Sequence, residues 1–245
     1  MKQAAKAPTG VKTRGVGRPR RLTLEQVLDA GLALGLDGLT MGAVADRLGV
    51  TITVLYGYVS GREELVRLAA ARAAQDHDFP ADAGQHWTLY VAGHAAALFS
   101  LLTGPGQLVA QYFAGGLGPE VELDRAEAWL EALAARGFHP RESLRLQRQM
   151  GEIVIGGAVT LMHMRSFEAA GGPFEEAAIR AMAKREEGEI PLLLSEQSMF
   201  SKREPVWQST LALLLEAVAT DRGEAFDRQA VMRVLALVPT DQGIF

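Results

Sequence analysis

Residues 40–62 read TMGAVADRLGVTITVLYGYVSGR, and this stretch decides how the N-terminal part of the chain folds. Thr40 is a typical N-cap for a short helix, in which the small Ala45 lets a second helix approach closely. Gly49 follows four residues later, where a sharp turn between two helices needs the left-handed conformation. Leu55, six residues further on, fills the space between the helices. This spacing is typical of a helix-turn-helix, so we predict one here.

The second helix of this unit would present a short, uncharged face. In a helix-turn-helix the second helix enters the DNA major groove, where threonine hydroxyls and apolar groups contact base edges, including thymine methyls. Neighbouring tyrosine and arginine side chains hydrogen-bond phosphates and set the register. The predicted DNA-contacting residues are Thr40, Thr51, Ile52, Thr53 and Val54, together with Tyr56, Tyr58 and Arg62 for the phosphates.

The first 21 residues form a separate basic segment. They contain seven Lys or Arg residues, no acidic residue, and scattered Gly and Pro, a composition that does not order itself in isolation. Residues 15–21, GVGRPRR, resemble an AT-hook core, which lays an extended chain into a narrow A·T-rich minor groove. The alternative is a solubilising tail. We predict a DNA-binding arm, in which the contacts come from Arg14, Arg18, Arg20 and Arg21.

The charge of the chain is unevenly distributed. Residues 1–72 carry 11 basic and 6 acidic residues, a net charge of +5, whereas residues 73–245 carry a net charge of −9. A basic head on an acidic body indicates an anionic partner at one end only. The chain has no cysteine, which excludes disulfides and thiolate sites and fits a reducing compartment. Since neither a secretory signal nor a membrane-spanning run is evident, we expect a cytoplasmic protein without a membrane partner.

Apolar residues at helical spacing recur along the whole chain, and strand patterns are almost absent. We therefore predict an all-α fold. Thr23 with Gln26 forms a capping box for a first helix, and Ser60 with Glu63 forms another that opens a longer helix to about residue 77. Later helices are predicted over about 85–102, 106–114, 120–136, 140–170, 174–186 and 204–221.

Two of the later helices are apolar on two faces each. The stripes are Trp207, Leu211, Leu214 and Val218 against Val206, Leu213 and Ala217 in one helix, and Ile153, Val154, Gly157 and Leu161 against Ile155, Ala158 and Met162 in the other. One stripe of each helix can pack inside its own subunit, and the second needs a partner. We predict a two-fold, four-helix interface between two copies, with Gly156 and Gly157 allowing close approach. The alternative is one large monomeric core.

The helix-turn-helix stretch resembles that of a known family. The run LTMGAVADRLGVTITVLYGYVSGREELV is similar to the DNA-binding motif of the TetR family of transcriptional regulators, and the likeness covers about residues 23–72. The run ARGFHPRESLRLQRQMGEIVIGGAVTLM, residues 135–162, resembles the ligand-binding and dimerisation core of the Tet-repressor-type subgroup. The resemblance implies a homodimeric repressor that releases a palindromic, double-stranded DNA operator when a small, largely apolar effector binds its C-terminal domain.

Three positions depart from the pattern of that subgroup. Gly42 stands where an arginine contacts a base, Gly57 where the recognition helix has an aromatic residue, and Thr160 where a glutamate helps to hold a drug-bound magnesium ion. The resemblance therefore implies a different operator and an effector that is not held through a metal. An antibiotic or another hydrophobic metabolite fits this description.

Ligand pockets are mainly apolar with a few polar anchors. By the resemblance, His94 aligns with a drug-contacting position and Gln147 points into the pocket, although a satisfied core histidine is an equal alternative for His94. The predicted pocket residues are His94, Leu98, Tyr112, Trp129, Gln147, Met150 and Val154. No histidine pair has the spacing of a zinc hydrolase, and no triad or paired carboxylate is evident. We therefore predict no metal, no cofactor and no enzymatic activity.

The predicted organisation has three parts. Residues 1–21 form the basic arm, residues 22–77 the helix-turn-helix DNA-binding domain, and residues 78–240 the ligand-binding and dimerisation domain. The competing interpretations are an all-helical enzyme with an incidental basic head and an architectural DNA binder without a ligand. The acidic C-terminal part argues against the second, because it is larger than dimerisation alone requires.

Overall fold

The structure is a computed structural model that describes residues 22–36, 38–104, 108–114, 118, 123–186, 188–202 and 205–237. These residues form 13 helices and no strand, which confirms the predicted all-α fold. The helices are α1 (Leu24–Leu32), α2 (Met41–Leu48), α3 (Ile52–Leu55), α4 (Arg62–Asp76), α5 (Trp87–Thr103), α6 (Leu108–Phe113), α7 (Leu123–Ala134), α8 (Pro140–Gly171), α9 (Phe174–Met182), α10 (Pro191–Ser195), α11 (Gln197–Ser201), α12 (Trp207–Asp221) and α13 (Arg228–Leu235).

The starts of the first two helices follow from local sequence. At α1, Thr23 Oγ1 accepts the Gln26 N–H at 3.2 Å, and Gln26 Oε1 accepts the Thr23 N–H at 3.0 Å, which is the predicted capping box. At α2, Thr40 Oγ1 accepts the Ala43 N–H at 3.1 Å. Gly49 ends α2 at φ 66° and ψ 33°, the left-handed conformation that favours glycine. These three predictions are confirmed.

The predicted capping box of Ser60 and Glu63 at the start of α4 is wrong. Gly61 precedes the helix in an extended conformation and has no side chain to cap it, so α4 begins at Arg62. The acidic partner shifts by one residue as a result, and Glu64 Oε2 accepts the Ser60 N–H at 2.6 Å. Hydrogen bonds to the backbone and side chain of Ser60 lower the pKa of the Glu64 carboxyl.

α5 lies at the centre of the larger helical part of the chain. It packs against α8 and α13, while α8 also packs against α6, α7 and α12. Trp87, Tyr90 and Phe99 of α5 are almost completely buried. The core continues without a break into α1–α4, where Leu55 and Leu65 are fully buried. The N-terminal helices therefore lean on the larger part, as their small size requires.

Helices α10, α11 and α13 lie where no helix is predicted from the sequence. Asp227 Oδ1 accepts the Ala230 N–H at 2.9 Å to cap α13, and Val231 and Leu235 are fully buried. These local signals make α13 predictable in principle. α10 contains no buried residue, so the hydrophobic period that reveals a helix is missing there.

The two apolar stripes of α12 have different surroundings. Trp207 and Leu211 are buried in the subunit, at 3% and 0% exposure. Val206 and Leu213 remain 61% and 58% exposed, and Ala217 is exposed beside them. We refer to Val206, Leu213 and Ala217 as the outer stripe of α12. The predicted division of this helix into an inner and an outer apolar face therefore holds within the described chain.

The predicted division of α8 into two such stripes is wrong. Val154 and Ala158, one from each stripe, are both fully buried, because α8 is surrounded by α5, α6, α7 and α12. Gly157 faces α12, where a Cβ added to it would meet the Trp207 ring. The open face of α8 passes through Gly156 instead, where an added Cβ would meet nothing within 4 Å.

Candidate DNA-binding surface and ligand cavity

α3 is anchored on one side and open on the other. Leu55 is fully buried and holds the helix against the core. The exposed residues of the segment are Thr51, Ile52, Thr53, Val54 and Tyr56. The Thr51 hydroxyl does not cap the helix, so it is not committed to local structure. A surface of methyl and hydroxyl groups suits base edges in the major groove better than phosphates.

Tyr58 has a different position from the one expected of a phosphate contact. Its hydroxyl donates to the Leu22 carbonyl oxygen at 2.5 Å, and the side chain is half-buried. A phosphate oxygen only accepts hydrogen bonds, and the single hydroxyl proton is already used. Tyr58 therefore ties the residue before α1 to the end of the α3 segment, which is a correction to its predicted role.

Arg62 and Thr40 lie on the same side of the helix-turn-helix. Arg62 Nε donates to the Leu39 carbonyl oxygen at 2.7 Å, which joins the start of α4 to the residue before the α2 cap. The side chain is nevertheless exposed and brings a positive charge to this surface. Thr40 is exposed as well, and its cap hydrogen bond uses the oxygen as an acceptor, which leaves the hydroxyl proton to donate.

The basic arm cannot be compared with the structure. Arg14, Arg18, Arg20 and Arg21 lie outside the described residues. The described chain begins at Leu22, whose carbonyl is held by Tyr58 next to α3.

A cavity of about 630 Å³ lies between α4, α5, α6, α7 and α8. Its size falls within the range that holds drug-sized molecules. Six of the seven residues predicted for the pocket line it, namely His94, Leu98, Tyr112, Trp129, Gln147 and Met150. The structure brings these residues together from four helices that are far apart in the sequence.

Val154 is the exception among the predicted pocket residues. It is fully buried and does not line the cavity, whereas the next residue, Ile155, does. Successive residues of a helix point about 100° apart, so a one-residue error in the predicted face exchanges a core position for a cavity position.

His94 is buried among aromatic rings in the cavity wall. Its ring centroid lies 4.2 Å from that of Tyr90, 5.3 Å from that of Trp129 and 5.7 Å from that of Phe79. Nδ1 lies 3.0 Å from the Tyr90 carbonyl oxygen, which can only accept, so Nδ1 carries the proton and Nε2 is an acceptor. Burial lowers the pKa of His94, the Tyr90 carbonyl opposes this, and the charge of Arg125 lowers the pKa further. The imidazole is therefore neutral at physiological pH.

Two further polar groups shape the wall. Trp129 Nε1 donates to the Ser143 carbonyl oxygen at 2.9 Å, which locks the indole ring in place while the ring lines the cavity. Gln147 is half-buried on α8, one turn from the buried Met150. The neutral His94 and the Gln147 amide offer hydrogen bonds without a net charge, and Trp129 offers the face of its ring.

Two residues that shape the chemistry of the cavity wall, Arg125 and Phe79, are not predicted from the sequence. Arg125 lies one turn before Trp129 on α7, so helical spacing from a predicted pocket residue points to it. Phe79 lies in the segment between α4 and α5, where no periodic pattern exists to reveal it. The guanidinium carbon of Arg125 lies 4.5 Å from the centroid of the Phe79 ring, a cation–π distance.

Two other kinds of site are not found among the described residues. No group of three or more His, Asp or Glu side chains in this part of the chain is placed to hold a metal ion. No helix formed by the described residues is long and apolar enough to cross a lipid bilayer.

The chain is similar to known repressors in sequence. A tetracycline repressor protein of class D from Escherichia coli is 30% identical over 150 residues, which are 57% of this chain and 66% of that repressor, just under two thirds of its length. The HTH-type transcriptional repressor DrrR1 from Streptomyces coeruleorubidus is 28% identical over 194 residues, 77% of this chain and 68% of that protein. No protein-family model matches the chain.

The fold is also similar to solved structures. The TetR family protein ActR from Streptomyces coelicolor, in complex with actinorhodin, superposes with a TM-score of 0.63 at 19% sequence identity. The superposition covers 84% of this chain and 98% of ActR. At this level of identity the similarity establishes the fold and nothing further.

A helix-turn-helix on an otherwise helical body is the arrangement found in helix-turn-helix transcriptional regulators. The curated relatives are repressors and the fold is that of a TetR family protein, so the chain is similar to the TetR family of transcriptional regulators. The family resemblance seen in the sequence is confirmed by the curated relatives.

Proposed function

We propose that the chain is a ligand-responsive repressor that binds a palindromic DNA operator as a dimer and releases it when a small, largely apolar molecule occupies the cavity. The observation that carries this proposal is the position of α4. Its first residue, Arg62, donates to the Leu39 carbonyl oxygen next to Thr40 on the proposed DNA surface, and Ala74, near its other end, forms part of the cavity wall. One rigid helix thus has its ends at the two candidate sites.

Such a switch works only if the ligand prefers the state that does not bind DNA. To reverse a 99:1 ratio of the DNA-binding state to the other state, the ligand must bind the other state more tightly by about 5.5 kcal/mol of binding free energy. A ligand that fills the cavity contacts α4 directly at Ala74. Movement of α4 would therefore change the ligand contacts together with the position of the helix-turn-helix, which α4 contacts through α1 and through the bond from Arg62 to Leu39.

The proposal assigns three parts to the chain. Residues 1–21 are an arm on the DNA, residues 22–77 bind the operator, and residues 78–240 bind the effector and the second copy. The arm leads directly into Leu22, which is held next to α3, so it starts beside the proposed DNA surface. Because its target is genomic DNA, we place the protein in the cytoplasm.

The relatives support a small-molecule effector. The Escherichia coli relative is named a tetracycline repressor, and the ActR structure contains actinorhodin. The cavity of this chain is lined by apolar side chains such as Leu98, Leu102 and Met150. A thermal-shift screen against antibiotics and other hydrophobic metabolites tests for an effector, because a ligand at 100 times its Kd stabilises the folded state by about 2.7 kcal/mol.

The operator proposal is tested with two substitutions on the proposed DNA surface. Thr53→Ala should weaken binding to the preferred sequence by about 1–3 kcal/mol and change the preference among related sites, because it removes a base-edge contact. Arg62→Ala should weaken all sequences alike and reduce the salt slope by about one unit. The measurement is fluorescence anisotropy on duplexes selected in vitro, with half-sites about 34–36 Å apart or a multiple of that spacing.

Tyr58→Phe is the matched control for these substitutions. Loss of its hydrogen bond to Leu22 should lower the melting temperature with little change in sequence preference. A wild-type protein that binds selected and random duplexes with equal affinity contradicts the proposal.

Deletion of residues 1–21 should weaken operator binding and flatten its salt dependence. The deletion removes seven basic residues, so fewer counterions are released on binding. The thermal melt of the truncated protein should match that of the full chain, since the described core begins at Leu22. An unchanged affinity and salt slope would show that the segment serves solubility alone.

A further inference from the structure

Arg125 gives the largely apolar cavity a positive charge in its wall. The residue comes from α7, is half-buried, and lines the cavity together with Phe79, His94 and Trp129. Its charge is felt by His94, whose pKa it lowers. The guanidinium packs over the Phe79 ring, and an acidic group on an effector would be attracted to its charge.

Arg125 also holds the C-terminal end of α4. Its Nη2 donates to the Ala74 carbonyl oxygen at 2.6 Å. α4 ends at Asp76, so this carbonyl belongs to the last turn, whose oxygens have no partner within the helix and which carries the negative end of the helix dipole. A guanidinium is a favourable partner for such an end.

A second contact fastens the same end of α4 to a different helix. His77 Nε2 lies within hydrogen-bonding distance, 2.9 Å, of the Ala97 carbonyl oxygen on α5. The His77 and Phe79 rings meet edge to face, with centroids 5.5 Å apart. The end of α4 is therefore held by α5 through His77 and by α7 through Arg125, and only the Arg125 contact lies in the cavity wall.

We propose that the effector is an aromatic organic anion, whose carboxylate or equivalent acidic group pairs with Arg125 and draws its guanidinium away from the Ala74 carbonyl. This inference rests on the proposed function and specifies the chemistry of its effector. Arg125 is then a specificity-determining residue of the cavity and the point at which the ligand acts on α4.

The relative strengths of the contacts favour this exchange. A guanidinium forms two parallel hydrogen bonds to a carboxylate, in which both partners are charged, whereas it gives the neutral Ala74 carbonyl a single bond. The aromatic part of the ligand would lie against the rings of Phe79 and Trp129, which are suited to stacking. The neutral His94 accepts a hydrogen bond through Nε2, so a hydroxyl on the ligand has a partner as well.

Two other charged residues line the cavity, and their positions make one of them a control. Arg148 and Glu152 lie on α8 and are both exposed, so solvent screens their charges. Arg148 is the same residue type in the same cavity, but its side chain is not part of the contact with α4. If any arginine in the cavity wall could attract an anionic ligand, substitution of Arg148 and substitution of Arg125 should weaken anion binding equally.

The test uses matched pairs of probes that differ only in charge. The probes are anthraquinone-2-carboxylate with anthraquinone-2-carboxamide, and 2-naphthoate with 2-naphthamide. Binding is measured by calorimetry on the wild type, Arg125→Gln, Arg125→Lys and Arg148→Gln, after circular dichroism has shown that each variant is folded. We expect the wild type and Arg148→Gln to prefer each carboxylate by about tenfold or more, which corresponds to 1.4 kcal/mol. Arg125→Gln should lose this preference, and Arg125→Lys should keep part of it.

Operator affinity without any ligand supplies the second measurement. Arg125→Gln removes the contact with the Ala74 carbonyl, so it should weaken operator binding several-fold, while Arg148→Gln should leave it unchanged. Equal binding of carboxylate and carboxamide by the wild type, or no binding of either carboxylate, overturns the inference, as does a preference that survives in Arg125→Gln. If the wild type still binds an operator and a neutral compound from the thermal-shift screen releases it, the proposed function is supported without this inference. A wild type that does not select an operator refutes the proposed function itself.

Discussion

Leu213→Arg is expected to convert the proposed dimer to a monomer and to weaken operator binding by about 100-fold or more, which corresponds to about 2.8 kcal/mol. Leu213 is 58% exposed in the outer stripe of α12, so the substitution removes little from the core of its own subunit. In a two-fold interface the side chain is buried twice, at about 1.5–3 kcal/mol for each leucine. An arginine there would also bury an unpaired charge next to its own symmetry mate.

Two further substitutions separate loss of the dimer from loss of the fold. Leu237→Arg changes a leucine that is 80% exposed after α13, so it should leave both the dimer and operator binding intact. Leu211→Arg changes a fully buried residue of the same helix, so it should abolish the helical circular dichroism signal as well. Light scattering at micromolar concentration measures the oligomeric state of each variant.

The open face of α8 offers an independent test of the same interface. Gly156 is exposed, and a Cβ added to it meets nothing within 4 Å, so the side chain of Gly156→Leu starts in open space within the subunit. If α8 of a second copy approaches at this glycine, the added side chain should weaken the dimer without lowering the stability of the monomer. A wild type that is a stable monomer and still binds its full operator would end the dimer proposal.

Gly157→Ala is expected to destabilise the protein by about 2 kcal/mol. A Cβ at this position would lie 2.5 Å from Trp207 Cδ1, 2.7 Å from Cγ and 2.8 Å from Cβ. Trp207 is 3% exposed and stacks on Phe99 with ring centroids 4.7 Å apart, so the ring has no space into which to move. Overpacking of this kind costs up to about 3 kcal/mol, and the better helix propensity of alanine returns about 1 kcal/mol.

Gly151→Ala is the matched control for this substitution. It lies on the same helix, and an added Cβ there meets nothing within 4 Å. It should therefore raise the stability by up to about 1 kcal/mol through helix propensity alone. Chemical denaturation without ligand or DNA measures both variants, and equal stability of the two would show that the Trp207 contact yields more easily than its geometry indicates.

Local sequence correctly predicts the features that depend on hydrogen bonds or backbone conformation within a few neighbouring residues. The capping box of Thr23 with Gln26, the cap at Thr40 and the left-handed Gly49 each involve a span of four residues or fewer. The all-helical class follows in the same way, because hydrophobic period is a local property. The error at Ser60 has a local cause too, since the extended Gly61 moves the start of α4 by one residue.

The chemistry of the two sites depends on contacts between residues far apart in the sequence. The sequence predicts Tyr58 as a phosphate contact, but in the fold its hydroxyl donates a hydrogen bond to the Leu22 carbonyl oxygen, 36 positions away. In the sequence, Arg125 is one arginine of an amphipathic helix. In the fold it donates to the Ala74 carbonyl oxygen, 51 positions away.

The sequence alone thus determined the helical class and the helix-turn-helix, because periodic burial and local caps depend on neighbouring positions, and the family resemblance helped to predict six residues of the cavity wall. Only the tertiary structure decided which face of α8 lines the cavity, since Val154 and Ile155 are equally apolar and differ only in what packs against them. It likewise decided that a charge lies in the cavity wall. Partner choice for a polar group depends on which backbone atoms the fold brings within about 3 Å, and no local pattern encodes that distance.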